Sequence, residues 1–166
     1  MRDYRPADLE PVISVFQRSV HEVASRDYSP AQVAAWAPEH PYLEAWSPRL
    51  GRGGVFVCEC HDEIAGFARV DDSGYVDLLY IHPEFQRQDV GLALFQRMIA
   101  WVSSRGVGRL ISDVSVTARP FFERVGFRVV KSQEVERRGV RLRNFRMERK
   151  IDAEPHLAPH ASKREK

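Results

Sequence analysis

The stretch Tyr80-Ile81-His82-Pro83-Glu84-Phe85-Gln86-Arg87-Gln88-Asp89-Val90-Gly91-Leu92-Ala93-Leu94 joins two segments of different hydrophobic period. Upstream, residues 75–81 are apolar at nearly every position, which predicts a strand covered on both faces and central in its sheet. Downstream, Val90, Leu94, Met98 and Trp101 fall on one helical stripe that Phe95, Ile99 and Val102 widen, and Gly106 closes the helix. The first turn of such a helix has amide N–H groups without partners, and the helix dipole adds positive potential there, so the junction suits a phosphate or pyrophosphate. Gly91 and Ala93 would let a bulky ligand approach the backbone. From the junction alone, a phosphate cradle and an ordinary strand-to-helix turn are both open readings.

Before it, residues 55–60 and 64–70 are β-rich runs separated by His61-Asp62-Glu63, an antiparallel hairpin pattern, and Asp71-Asp72-Ser73-Gly74 turns the chain into the central strand. Residues 1–4 suit a short edge strand. Leu9, Val12, Ile13, Phe16, Val20 and Val23 predict an amphipathic helix after Pro6 and Asp8. Ser29-Pro30 starts a short helix carrying Val33 and Trp36, and residues 41–50 add a turn or two. After the main helix, residues 110–114 read as a strand, and a helix between two strands implies a crossover with parallel pairing. Residues 118–124 form a short helix capped by Gly126, and strands near 127–134 and 140–149 meet at a turn near Gly139. The order predicts an α/β (α+β) fold with a mixed, mostly antiparallel sheet of about 6–7 strands flanked by about 4 helices.

At 166 residues and 43% hydrophobic, the chain suits one domain, here residues 1–151. Residues 152–166, with Pro155, Pro159 and a charged end, show no apolar period and are expected to be a disordered tail. No apolar run approaches the roughly 18 residues of a membrane span, and Met1 to Pro6 lacks the apolar core of a signal peptide, so a soluble, cytoplasmic protein is expected. Cys58 and Cys60, two apart on a strand, are expected as reduced thiols. With the six histidines unclustered, no metal is expected. A net charge of +2 announces neither nucleic acid nor membrane as partner.

The junction resembles the coenzyme A loop of the general N-acetyltransferase (GNAT) superfamily, whose pattern is Gln/Arg-x-x-Gly-x-Gly/Ala at the same place. Gln86 and Gly91 fit its first and last positions, and Asp89 replaces the middle glycine. Further on, Ser115-Val116-Thr117-Ala118-Arg119-Pro120-Phe121-Phe122-Glu123-Arg124-Val125-Gly126-Phe127 is similar to the family's later signature of Asn-x-x-Ala, an aromatic pair and Gly-Phe.

The resemblance implies an acetyl-CoA-dependent N-acetyltransferase acting by direct transfer on a primary amine of a small molecule or peptide, with coenzyme A as product. Main-chain groups of Leu79 and Ile81 would bond the pantetheine arm between splayed strands. The loop from Gln86 through Arg87, Gln88, Asp89, Val90, Gly91 and Leu92 to Ala93 would hold the diphosphate, with Arg87 and Arg124 as cations. Asp89 beside a diphosphate is repulsive unless it turns outward or caps the helix. Ser115 stands where the family often has asparagine, and Phe122 where a tyrosine proton donor is often found, which leaves Tyr80, a water or no residue for that role.

Asp77 is the carboxylate within the central strand. Its parity with Leu79 and Ile81 puts the three on one face, and burial would raise its pKa toward that of a base. Alternatively, it only accepts hydrogen bonds. His82 is the other candidate base. Tyr28, Trp36, Tyr42 and Trp46 would line an acceptor pocket, or simply seal the helices on the sheet.

Two readings compete with an active enzyme. One is a catalytically weak acyl-CoA-binding relative with a sensor or regulatory role. The other is a nucleic-acid module, from Arg137, Arg138, Arg141, Arg143, Arg146, Arg149 and Lys150 on the last hairpin, although their alternation with Val140, Leu142, Phe145 and Met147 is that of a solvated strand face. The basic strip also suits an acidic acceptor or a second subunit, as in a homodimer.

Overall fold

The structure, a computed structural model, describes residues 1–151; the tail expected at 152–166 lies outside them. The chain runs β1 (Arg2–Asp3), α1 (Leu9–Arg18), α2 (Pro30–Trp36), α3 (Leu43–Leu50), β2 (Gly54–Cys60), β3 (Glu63–Val70), β4 (Val76–Ile81), α4 (Val90–Ser103), β5 (Arg109–Ser115), α5 (Arg119–Arg124), β6 (Arg128–Arg137) and β7 (Val140–Lys150). The segment read as a turn or two is the full helix α3, which brings the helices among the described residues to five.

Local chemistry sets the helix starts. Asp8 accepts the Arg5 backbone N–H at 2.7 Å and holds the Arg2 guanidinium through both oxygens at 2.8 Å, fixing the entry to α1. Ser29 and Gln32 form a reciprocal capping box at α2 (3.2 and 2.9 Å). The single helix predicted through Val23 is regular only to Arg18; it widens into a π turn, Ser19–Val23, and tightens into a 3-10 turn, Ala24–Arg26.

The strands form two antiparallel sheets, in the orders β1-β2-β3-β4 and β5-β7-β6. They touch where β4 and β5 begin, through one parallel bridge, Tyr75 with Ile111, supported by Ile111 N–H to the Gly74 carbonyl (3.0 Å) and the Ser112 hydroxyl to the Val76 carbonyl (2.8 Å). The parallel pairing expected from the crossover is confined to that contact, and beyond it the two strands part. Helix α4 packs one face of the assembly, with Leu94 and Met98 fully buried among Phe56, Phe95, Leu110 and Met147. Burying each is worth roughly 2 kcal/mol. Helix α1 packs the other face, with Val12 and Phe16 among Val57, Phe67 and Leu78.

Strand β4 carries the irregularity that matters for the site. Arg69 of β3 pairs with Leu78, but Val70 pairs with Val76, so Asp77 is the extra residue of a β-bulge. Val76 packs with Leu79 and Ile81 on the α4 side, while Leu78 and Tyr80 face α1. The bulge thus breaks the parity expected to align Asp77 with Leu79 and Ile81.

Candidate active site

A cleft of about 1940 Å³ opens where β4 and β5 separate, and it runs from the α1 end past the start of α4 to α5. The antiparallel register determines what β4 offers to it. His82 N–H donates to the Ala65 carbonyl at 2.9 Å, so alternation aims the main-chain groups of Tyr80 and Leu78 at β3 and those of Leu79 and Ile81 at the cleft. The Gln86 side-chain amide donates to the Ile81 carbonyl at 3.0 Å, leaving the Ile81 N–H and both groups of Leu79 facing the opening.

At the far end lies the loop into α4. Arg87 and Asp89 both have left-handed backbone (φ 59°), a form that builds anion-binding concavities. Among the described residues, nothing accepts a hydrogen bond from the amides of residues 87–92, and the first helical bond joins Ala93 N–H to the Asp89 carbonyl at 2.9 Å. Ala93, expected among the donors, is therefore committed to the helix. Val90 turns its side chain into the core (4% exposed), so only its amide is available. Gln88 braces the loop through the Glu84 carbonyl at 2.9 Å. Asp89 is exposed, lines the cleft and makes no side-chain cap to the helix. A β-carbon on Gly91 would lie 3.2 Å from the Phe121 ring, so a larger residue would strain the packing of α4 on α5. Arg87, Leu92 and Arg124 are exposed at this end, with Arg124 5.7 Å over Phe121.

A second cavity of about 350 Å³ lies on the α1–α3 side, and Trp36, Asp77, Tyr80, Asp113 and Ser115 border both spaces. Trp36 is partly exposed there, while Trp46 is buried against Phe16 (4.9 Å). Tyr28 also lines this pocket, but its hydroxyl is used structurally. It donates to the Arg143 carbonyl at 2.6 Å and accepts from Val116 N–H at 2.9 Å, tying the end of β5 to β7. The Ser115 hydroxyl accepts from Ala118 N–H at 3.0 Å and shapes the turn into α5. Phe122 is buried in the α4 core, 4.9 Å edge-on to Phe127.

The expected titration of Asp77 is overturned. Its oxygens accept from Arg49 Nε (2.7 Å) and Nη2 (2.6 Å) and from Arg69 Nη1 (2.6 Å). Burial pushes the carboxyl up, but the hydrogen bonds and charge of Arg49 and Arg69 outweigh it and hold the group below its ordinary value. Its two guanidinium partners favour the ionised form. Tyr80 stands against Phe16 and Phe67, and burial pushes its phenol up to about 12, with the Trp36 indole and the Arg49 charge acting the other way. The phenol is protonated at neutral pH. His82 has Nε2 2.6 Å from Arg18 Nη1 and Nδ1 3.2 Å from Glu84 N–H, so neither ring nitrogen is free for an incoming amine.

Sequence reasoning missed Arg49 and Asn144 as parts of the pocket and Arg69 as the partner of Asp77 behind it. Arg69 did leave a signal: a cation inside the apolar run of β3 needs a carboxylate, and Asp77 in β4 is its counterpart. Most of the basic strip on the last hairpin is tied into the fold. Arg146 pairs with Asp113 (2.6 Å), Arg149 donates to the Val125 carbonyl, and Arg143 lies 5.1 Å over Phe145. No helix of the described residues is long and apolar enough to cross a membrane, and none of their His, Cys, Asp or Glu side chains form a metal-sized group.

The comparisons agree with this geometry. The family model for the "Acetyltransferase (GNAT) domain" matches residues 24–149. The "Uncharacterized N-acetyltransferase YafP" of Escherichia coli (strain K12) is 37% identical over 148 residues, spanning 89% of this chain and 93% of that protein. A GCN5-related N-acetyltransferase of Rhodopseudomonas palustris superposes with a TM-score of 0.87 at 27% identity, over 90% of this chain and 94% of that one. The PaiA N-acetyltransferase of Thermoplasma acidophilum, in complex with coenzyme A, shares the fold at a TM-score of 0.72 and 19% identity, over 90% of this chain and 97% of its own. With a splayed β4–β5 pair, an open amide loop before α4 and these relatives, the chain belongs to the GNAT family of acetyltransferases.

Proposed function

We propose that residues 1–151 act as one catalytic domain that moves an acetyl group from acetyl-CoA to a primary amine of a small molecule or peptide, by direct attack with both bound. One observation carries this reading: the cleft containing the unpaired amides of residues 87–92 meets a small aromatic pocket at Tyr80. The coenzyme A held by the Thermoplasma acidophilum relative supports it. The residues present fit that group. Amides 87–92 with Arg87 and Arg124 suit a diphosphate, and the open groups of Leu79 and Ile81 suit an arm with two amides. Bound there, acetyl-CoA would supply an activated acyl carbon.

The chain's own part is orientation and proton management. The Ile81 N–H faces the cleft, as does that of Leu79, and would donate to the thioester carbonyl oxygen. Forming the N–C bond and breaking the C–S bond leaves one proton to move from nitrogen to sulfur. Tyr80 is the phenol at the junction that would relay it, since Phe122 has no hydroxyl, that of Ser115 is engaged by the Ala118 N–H, and Asp77 is held as an anion by two arginines. The amine must therefore lose its first proton to water. Binding of acyl-CoA without turnover is the second reading, favoured by Phe122 and by the absence of a free base among these groups.

Release of free thiol, followed against a panel of amines, amino acids, aminoglycosides and peptide N-termini, tests the proposal. Acceptor-dependent release is expected. A protein stabilised by acetyl-CoA that releases no thiol with any acceptor would be a binder instead.

A further inference from the structure

We propose that the amine taken by this pocket belongs to a small molecule that also carries a carboxylate, recognised by Arg137, with Asn144 facing the amine. This rests on the acetyltransferase reading and goes beyond it by naming the acceptor class.

The charges of the pocket point this way. Both of its carboxylates are already used: Asp77 by Arg49 and Arg69, and Asp113 by Arg146 (2.6 and 3.1 Å), Gln133 (2.8 Å) and the Tyr75 hydroxyl (3.0 Å). Nothing anionic is left to bind a polycation. Of the pocket's other cations, Arg49 is held by Asp77, Arg138 donates to the Ala35 carbonyl at 2.7 Å, and Arg143 donates to the Ser132 hydroxyl at 3.2 Å and lies 5.1 Å over Phe145. Arg137, at the end of β6 and exposed on the pocket rim, has no hydrogen-bond or salt-bridge partner among the described residues. Arg137 and Tyr80 line the same pocket. An unpaired guanidinium beside a walled cavity is suited to a carboxylate, which its planar fork binds with two bonds.

A second observation is independent of charge. Asn144 Oδ1 is buried and has no hydrogen-bond partner among the described residues, and Asn144 lines the same pocket. A buried acceptor left empty is costly, and the N–H of an amine is the group that would satisfy it. At about 350 Å³, walled by Trp36 and Tyr80, the space holds an amino-acid-sized molecule.

The test is thiol release with acceptors in matched sets: an amino acid, its carboxamide and its decarboxylated amine, across several side chains. The acid is expected to have a kcat/KM at least about tenfold above its two partners. Arg137→Gln, on an exposed side chain, should bring the acid down to the level of its amide, whereas Arg137→Lys should retain part of the preference. Equal or better turnover of the uncharged partners, or an acid preference untouched by Arg137→Gln, would overturn the proposal. If no acceptor turns over, thermal shifts of the coenzyme A-saturated protein decide: stabilisation by the acids alone, lost in Arg137→Gln, upholds the site, and equal or absent shifts refute it. Failure of acetyl-CoA itself to bind would instead bring down the acetyltransferase reading.

Discussion

Asp77→Asn separates a fixed structural anion from a general base. The carboxylate accepts three charge-assisted hydrogen bonds, two from Arg49 and one from Arg69. The Arg49 side chain is 42% exposed, so solvent screening leaves its pair worth under about 1 kcal/mol. Arg69 and Asp77 are only 14% and 15% exposed, and a charge-assisted bond in that setting contributes about 2 kcal/mol. Asparagine keeps one acceptor oxygen, so the loss should be about 2 kcal/mol in all, or roughly 4–8 °C in Tm for a chain of this size. Calorimetry at pH 7 measures it. The sign with pH follows from the depressed pKa: the contribution is complete above the unfolded carboxyl value of about 3.9 and is lost as pH falls through the lower folded value. The Tm gap between wild type and variant should therefore hold steady from about pH 5 to 8 and close only below about pH 4. Turnover should fall without loss of the ascending limb of the pH–rate profile, because α3 and the pocket wall loosen while no base is removed. An unchanged Tm, or a limb between pH 6 and 8 that disappears in the variant, would refute this account of Asp77.

Tyr80→Phe should lower kcat at least about tenfold while leaving the thermal shift by acetyl-CoA intact; an unchanged kcat would remove Tyr80 from the proton path. Asp89→Gly should tighten acetyl-CoA several-fold, measured by calorimetric titration, because glycine accepts φ 59° without strain and removes a carboxylate from the anion loop; weaker binding would contradict that reading. Gly91→Glu should abolish binding, since its side chain would start 3.2 Å from the Phe121 ring and bring negative charge to the loop. Tyr28→Phe should cost about 2 kcal/mol of stability by orphaning the Arg143 carbonyl and the Val116 N–H, read from the urea midpoint.

The parts of the fold legible in the sequence were those set by local period and turn chemistry. The α4 stripe with its Gly106 stop, the hairpin at residues 61–63 and the short helix before Gly126 all lie where pattern placed them. The junction at residues 86–93 was legible for the same reason: a strand, a tight turn and a helix start are local facts. What escaped depends on contacts across the chain. No local signal marks the bulge at Asp77, which arises from pairing with β3, and that bulge turns the carboxylate from the expected face toward Arg49, 28 residues away. The burial argument for a raised pKa was sound as far as it went, and two arginines brought in by α3 and β3 reversed its sign. Tyr28 shows the same limit, being an aromatic on the pocket wall whose hydroxyl serves two distant backbone groups.

The claim on which the functional account turns is that the amides of residues 87–92 hold the diphosphate of coenzyme A. Titrating isotope-labelled protein with coenzyme A and following the backbone amide resonances tests it most directly. The account predicts that the largest shifts fall on residues 87–92, joined by Leu79 and Ile81, and that Asp89→Gly reproduces the pattern with tighter binding. Saturation by coenzyme A with those amides unmoved and the shifts centred elsewhere would contradict it.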